Sequence, residues 1–195
     1  MILEGLVTTL DESDRVNIAP MGPIVDPSMT TLVLRPFKTS RTFANLRASR
    51  QGVFHVTDDV WLLARAAVGD VDALTHSADA VHGRVLADAC RCYEFRVIDV
   101  DEREDRCTLR AEVVVTRRMR DFFGFNRAKH AVVEAAILAT RVGLRPRDEI
   151  LAELDRLVIL VDKTGGQQEH RAFAFLREYV EQAGESPGVR ERVAP

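Results

Sequence analysis

The sequence predicts a β-rich fold, a barrel or sheet of six or more strands, followed by a helical C-terminal section. Three observations carry this. Up to about residue 121, β-branched and apolar residues come in short runs between polar turns, as in "LEGLVTTL", "TTLVLRPF" and "AEVVVT". From Phe122 onward, apolar residues recur every three or four positions in alanine-rich stretches. No internal repeat or low-complexity linker separates the two parts. At 195 residues the chain can bury a core without disulfide or metal.

Taken in order, "LEGLVTTL" and "RVNIAP" flank the polar turn "DESD" and predict a hairpin. "GPIVDPS" breaks regular structure with Gly22, Pro23 and Pro27. "TTLVLRPF" is a strand, and "SRTFANLRASR" a short helix ending before Gly52. "GVFHVTDD" is a further strand that runs on into the apolar "VWLLARAAV". Asp70 is placed to cap one or two helical turns in "GDVDALTHSAD". "CRCYEFRVIDVDE" and "RCTLRAEVVVTRR" read as two long antiparallel strands around "EREDR". Three helices follow. "NRAKHAVVEAAILATRVGL" ends near Gly143, "PRDEILAELDRLVILVDKTGG" starts at Pro146 and stops at Gly165, and "QEHRAFAFLREYVEQAG" closes at Gly184. The all-apolar "LVILV" is expected to be buried. The division is a core over 1–121, a helical region over 122–184 packed on the barrel or at a dimer interface, and a tail over 185–195.

Composition narrows the function. Aromatics are sparse at 6%, which argues against a stacking platform for single-stranded nucleic acid. A net charge of −3 excludes general affinity for polyanions, so any anion site must be local. The start "MILEGLVTTLDESD" lacks a signal-peptide pattern, and no apolar run reaches the ~20 residues of a membrane span. Three cysteines suit a reducing compartment. A cytoplasmic protein without nucleic-acid or membrane partners is expected.

One stretch carries candidate chemistry. "RPFKTSRTFANL" places Arg35, Lys38, Thr39, Ser40 and Thr42 between an apolar strand and a helix start. Unpaired N–H groups and the helix dipole favour an anion there, and hydroxyls and cations supplement them. A plain cap by Ser40 or Thr39 accounts for the same residues and is the commoner use of such a pattern.

The order "VTTLDESDRVNIAPMG", "LVLRPFKTSRTFANL", "GVFHVTDD", with "FNRAKHAVVEAAILATR" further on, resembles the FMN-binding split-barrel superfamily of flavin reductases and pyridoxamine phosphate oxidases. It is most similar to a small archaeal and bacterial branch of DUF447 type. The likeness spans roughly Leu3 to Arg145. It implies a six-stranded split β-barrel, mainly β with α, that forms a homodimer and binds FMN near the subunit interface. The flavin phosphate would sit at Arg35, Lys38, Thr39, Ser40 and Thr42. Asn17, Ala19, Pro20 and Met21 would line the flavin ring, with Gly22 allowing close backbone approach. Activity as a flavin-dependent oxidoreductase on an unknown small molecule is implied. Occurrence of the branch beside pterin-dependent one-carbon metabolism suggests a reduced pterin. A non-catalytic flavin module, or a barrel holding another phosphorylated ligand, remains the alternative.

Further residues stand beside this pattern. Strand alternation sets Phe54 and Val56 on one face and Val53, His55 and Thr57 on the other. His55 and His130 are the candidates near the reacting edge. Asn126 and His130 fall at i and i+4, with Asn126 a candidate cap. Arg127 and Lys129 lie in the first helical turn, where the dipole disfavours cations. Either a ligand anion relieves them, from the partner subunit's flavin or a substrate, or they reach surface carboxylates. Cys90, Cys92 and Cys107 match no usual zinc spacing and read as small barrel residues. No phosphate-loop, zinc-protease or nucleophile-elbow motif is present.

Overall fold

The structure, a computed structural model, describes residues 1–183. These form two compact units, one made of Met1–Thr57 and Val71–Phe122, the other of Asp58–Asp70 with the chain from Phe123 onward.

The first unit is built on an antiparallel sheet. The hairpin forms as expected, with β1 (Gly5–Leu10) paired to β2 (Val16–Met21). Asp11 closes its turn by accepting the N–H groups of Ser13 and Arg15. β3 (Ile24–Val25), β4 (Thr31–Leu34), β5 (Gln51–Val56), β8 (Arg91–Asp101) and β9 (Thr108–Arg118) complete the order β2-β1-β5-β8-β9-β4-β3. The sheet therefore has seven strands, not six. The extra one is Ile24–Val25, in a stretch expected to be irregular. Proline at position 23 has no N–H to give a ladder, so the long strand of the hairpin breaks at Gly22–Pro23 and resumes as β3. Ile2 bridges Ile24 in the register that pairs Gly5 with Met21, so the last strand of the order is tied back to the chain entering β1.

One face of the sheet holds the core, where Val7, Leu32, Leu34, Phe54, Phe95 and Leu109 pack against Phe43 and Leu46 of α1 (Arg41–Ser49). Each fully buried side chain of this size contributes about 1.5–3 kcal/mol. The opposite face of β5 and β8 packs Val53 and Cys92 against Val81 and Val85, as strand alternation requires. Above it sits the β6 (Thr75–Ser77) and β7 (Arg84–Leu86) ladder, where helical turns were expected. Arg84 fixes that pairing by donating to Thr75 and Ser77. β1 and β5 approach so closely that a Cβ at Gly5 would lie 2.3 Å from the His55 carbonyl oxygen. Cys90, Cys92 and Cys107 are buried and form no disulfide with one another, and burial raises the thiol pKa of Cys92 and Cys107.

The second unit is helical. Its first element corrects the sequence reading: "VWLLARAAV" is not a strand continuing β5 but α2 (Val60–Val68). Asp59 caps it, its Oδ1 accepting the Leu62 N–H at 3.0 Å. α3 (Arg127–Ala139), α4 (Arg147–Thr164) and α5 (Gln167–Gln182) follow, and α3 packs against the other three. The α3 contact face is largely alanine, at positions 128, 131, 135, 136 and 139. The "LVILV" stretch of α4 is less buried than its composition suggests, because only Val161 is fully covered and Ile159 is 50% exposed. Gly184 and the tail fall outside the described residues. Among the described residues no helix is long and apolar enough to cross a membrane.

Candidate functional site at the start of helix α1

The junction between β4 and α1 is held by backbone pairing. Lys38 N–H donates to the Asp105 carbonyl (2.8 Å), and Cys107 N–H donates to the Pro36 carbonyl (3.0 Å). Arg106 Nε adds a bond to the Arg35 carbonyl. Residues 35–38 thus extend the β4–β9 pairing, and the chain then turns into α1. Ser40 is the N-cap, with Oγ accepting the Phe43 N–H at 3.1 Å and its carbonyl taking the Ala44 N–H. The N–H of Thr42 has no acceptor among the described residues. No acid lies in the first turn. The α1 start therefore presents an open donor with uncompensated positive dipole.

The expected cluster divides around this point. Arg35, Lys38 and Thr39 are exposed, and Ser40 half-buried. Lys38 Nζ is engaged within the protein, donating to the Glu102 carbonyl at 3.0 Å. Thr42 turns inward and is 4% exposed. Its Oγ1 accepts from Asn17 Nδ2 of β2 at 3.0 Å. Asn17 Nδ2 also reaches Thr9 Oγ1 of β1 (3.3 Å), which accepts from Asn45 Nδ2 of α1 as well (3.0 Å). The structure thus joins Asn17 and Thr42, two predicted site residues, through a buried polar network. Thr9 and Asn45 were missed by sequence reasoning. The available signal was the i, i+3 spacing of Thr42 and Asn45, which sets two polar side chains on one face of the helix.

Along the rest of β2, Ala19, Pro20 and Met21 are half-buried, and Ala19 and Met21 pack against the core. Gly22 is closely approached by another part of the chain. A Cβ there would meet the Glu4 carboxylate at 2.7 Å and Ile2 at 2.8 Å, so its close approach is to the N-terminal segment.

His55 also needs correction. It is fully buried, with Nδ1 3.3 Å from the Leu6 carbonyl and Nε2 accepting the Leu86 N–H at 3.1 Å. Since Nε2 accepts, the ring is neutral with its proton on Nδ1. It ties β1, β5 and β7 together and has no nitrogen left for a ligand.

In the helical unit, Asn126 caps α3 through Oδ1 to Lys129 N–H, while its Nδ2 donates to the Thr164 carbonyl. Lys129 is compensated inside the protein. Its Nζ lies 2.8 Å from Glu169 Oε1 and donates to the Asp58 carbonyl and Gln168 Oε1. Burial pushes the Glu169 carboxyl pKa up, but Lys129 and the Gly166 N–H outweigh it and hold it below the usual range. The carboxylate reading is therefore the right one for Lys129, whereas Arg127 and His130 are exposed. Lys129→Met, which strands the Glu169 carboxylate, is expected to destabilise by about 2–3 kcal/mol in urea melts. Adding Glu169→Leu should restore most of that loss, because the stranded charge is gone. Among the described residues no cluster of potential metal ligands is present.

The curled antiparallel sheet recurs in solved structures of FMN-binding proteins and of a flavoredoxin. An FMN-bound protein from Methanosarcina mazei superposes with a TM-score of 0.78 at 24% identity, over 91% of this chain and 94% of that one. A flavoredoxin from Methanosarcina acetivorans gives 0.54 at 12% identity, over 60% and 68%. An FMN-binding protein from Thermus thermophilus with bound 1-cyclohex-2-enone gives 0.50 at 18%, over 60% and 70%. The chain belongs to the DUF447 family of proteins of unknown function: its N-terminal-domain model matches residues 3–120 and a second family model matches residues 126–178. The Methanosarcina mazei protein is described as belonging to the same family. No curated protein matches the chain.

Proposed function

We propose that this chain is an FMN-binding flavoprotein that works as a cytoplasmic homodimer and exchanges electrons with a small-molecule substrate. The observation that carries the reading is the start of α1, where Thr42 offers an open N–H at a Ser40-capped, acid-free helix terminus. That donor set suits a phosphate monoester, and a protein of the same fold and family is FMN-bound. FMN, when bound, would supply the hydride and electron chemistry. The chain's own part is to hold the phosphate with Thr42 and Ser40, with Arg35 available as a counter-charge, and to present β2 at Asn17–Met21 to the ring. Exposed Phe123, Phe125 and Ile98 favour the dimer, since a second copy would remove them from water.

One observation favours a flavin module without turnover. The strand histidine nearest in sequence to the expected ring contacts, His55, is sealed in the interior and cannot pass a proton to a ligand.

A flavin titration tests the main reading. Wild-type protein is expected to bind FMN at least tenfold more tightly than riboflavin. Ser40→Ala combined with Thr42→Val should erase that preference, and the lost cap alone should lower stability by about 1 kcal/mol. Equal affinity of the wild type for FMN and riboflavin would remove the phosphate site. Bound FMN that NAD(P)H cannot reduce, and that passes no electrons to acceptors such as oxidised pterins, would favour the module. Sedimentation tests the dimer.

A further inference from the structure

We infer that Thr9 and Asn45 are positioning residues that aim the Thr42 hydroxyl and fix the ring strand relative to the phosphate end of the site; this rests on the FMN reading above. The four side chains of the network come from three elements, β1, β2 and α1. All are at least nine-tenths buried, with Thr9 and Thr42 at 1% and 4% exposure. Such residues are costly to bury, and an apolar set of similar shape would hold α1 on the sheet at least as well. A polar set adds direction.

The hydrogen-bond roles supply that direction. Asn17 spends both amide protons, one on Thr42 Oγ1 (3.0 Å) and one on Thr9 Oγ1 (3.3 Å). Thr9 Oγ1 also accepts from Asn45 (3.0 Å), so one hydroxyl oxygen anchors both amides. Because Thr42 Oγ1 accepts from Asn17, its own proton must point elsewhere, and it has no acceptor among the described residues. An O–H that accepts one hydrogen bond donates a stronger one. Thr42 sits in the first turn of α1, so its proton and its open N–H belong to the same helix terminus. Asn17 lies on β2, two residues before Ala19. The distance between the phosphate donor and the ring strand is thereby set by the shared oxygen of Thr9.

Thr9→Val keeps the shape and deletes that oxygen, while Thr9→Ser keeps it. With full-length protein, FMN and riboflavin titrations and a melting curve are run on each variant and on Asn45→Ala. Thr9→Val and Asn45→Ala are expected to weaken FMN binding about tenfold and riboflavin less than twofold, with Thr9→Ser near wild type. A merely structural network would lower the melting temperature and leave the FMN-to-riboflavin preference unchanged, and that result would overturn the inference. A wild type that does not prefer FMN to riboflavin would overturn the phosphate site itself, a separate outcome visible before any variant is made.

Discussion

Glu94→Ala is expected to cost about 3–5 kcal/mol of stability, lowering the melting temperature by about 10 °C for a chain of this size. Glu94 is fully buried on β8. Its two oxygens accept the N–H groups of Asp79 (2.9 Å) and Ala80 (2.7 Å). Arg117 Nη2 on β9 lies 3.4 Å from Oε1 and 2.9 Å from Asp79 Oδ2. Removing the carboxylate strands two backbone donors and leaves Arg117, whose Nε already lacks an acceptor, to its pairing with Asp79. Differential scanning calorimetry gives the magnitude. Hydrogen exchange at Asp79 and Ala80 gives the mechanism, since both amides should lose protection first. A loss below about 1 kcal/mol would show that the 78–83 loop does not depend on this carboxylate.

The second large effect is a loss of stability in mild acid, centred on His55. Burial pushes its pKa from the ordinary 6.5 down to about 4, only partly opposed by its bond to the Leu6 carbonyl. The unfolded chain therefore binds this proton first as pH falls. His55 contributes fully above about pH 6.5, and the contribution drains away between 6.5 and 4, by about 3 kcal/mol in all. Urea midpoints measured across this window should fall with pH in the wild type. In His55→Gln, which lacks the titrating ring, the slope should flatten at the cost of a lower plateau at neutral pH. An unchanged slope would assign the acid sensitivity to other groups.

Much of the fold could be read from the sequence because local chemistry and tertiary contact agreed. "DESD" made its turn, Ser40 capped α1, and Asn126 capped α3. The failures came where an apolar run has no period of its own. "VWLLARAAV" follows a strand and looks like more of it, yet Asp59 before it and Gly69 after it are helix boundaries. The short β6–β7 ladder escaped because it depends on Arg84 reaching across to Thr75 and Ser77, a contact without local signature. At the candidate site, the hydroxyls and cations of 35–42 stood out, but which of them face inward did not. Strand and helix phase alone could not tell that Thr42 meets Asn17, or that Lys38 turns to Glu102. Lys129 looked like an orphan cation because its partner, Glu169, lies 40 positions away by sequence.

The excursion of the chain through Asp58–Asp70 limits how this architecture can be taken apart. The polypeptide leaves the sheet unit after β5, lays down α2, and returns before β6. Two family models divide the chain near residues 120 and 126, as if the halves were cassettes. A fragment cut at that seam would leave behind Val60, Leu62, Leu63 and Ala64, which the helical bundle needs for its interior, together with Asp58, whose carboxylate receives the Phe123 N–H. The C-terminal half is thus not a portable module: grafted onto another barrel it would arrive with an empty berth, and in a recombinant lineage the two segments should be gained or lost together.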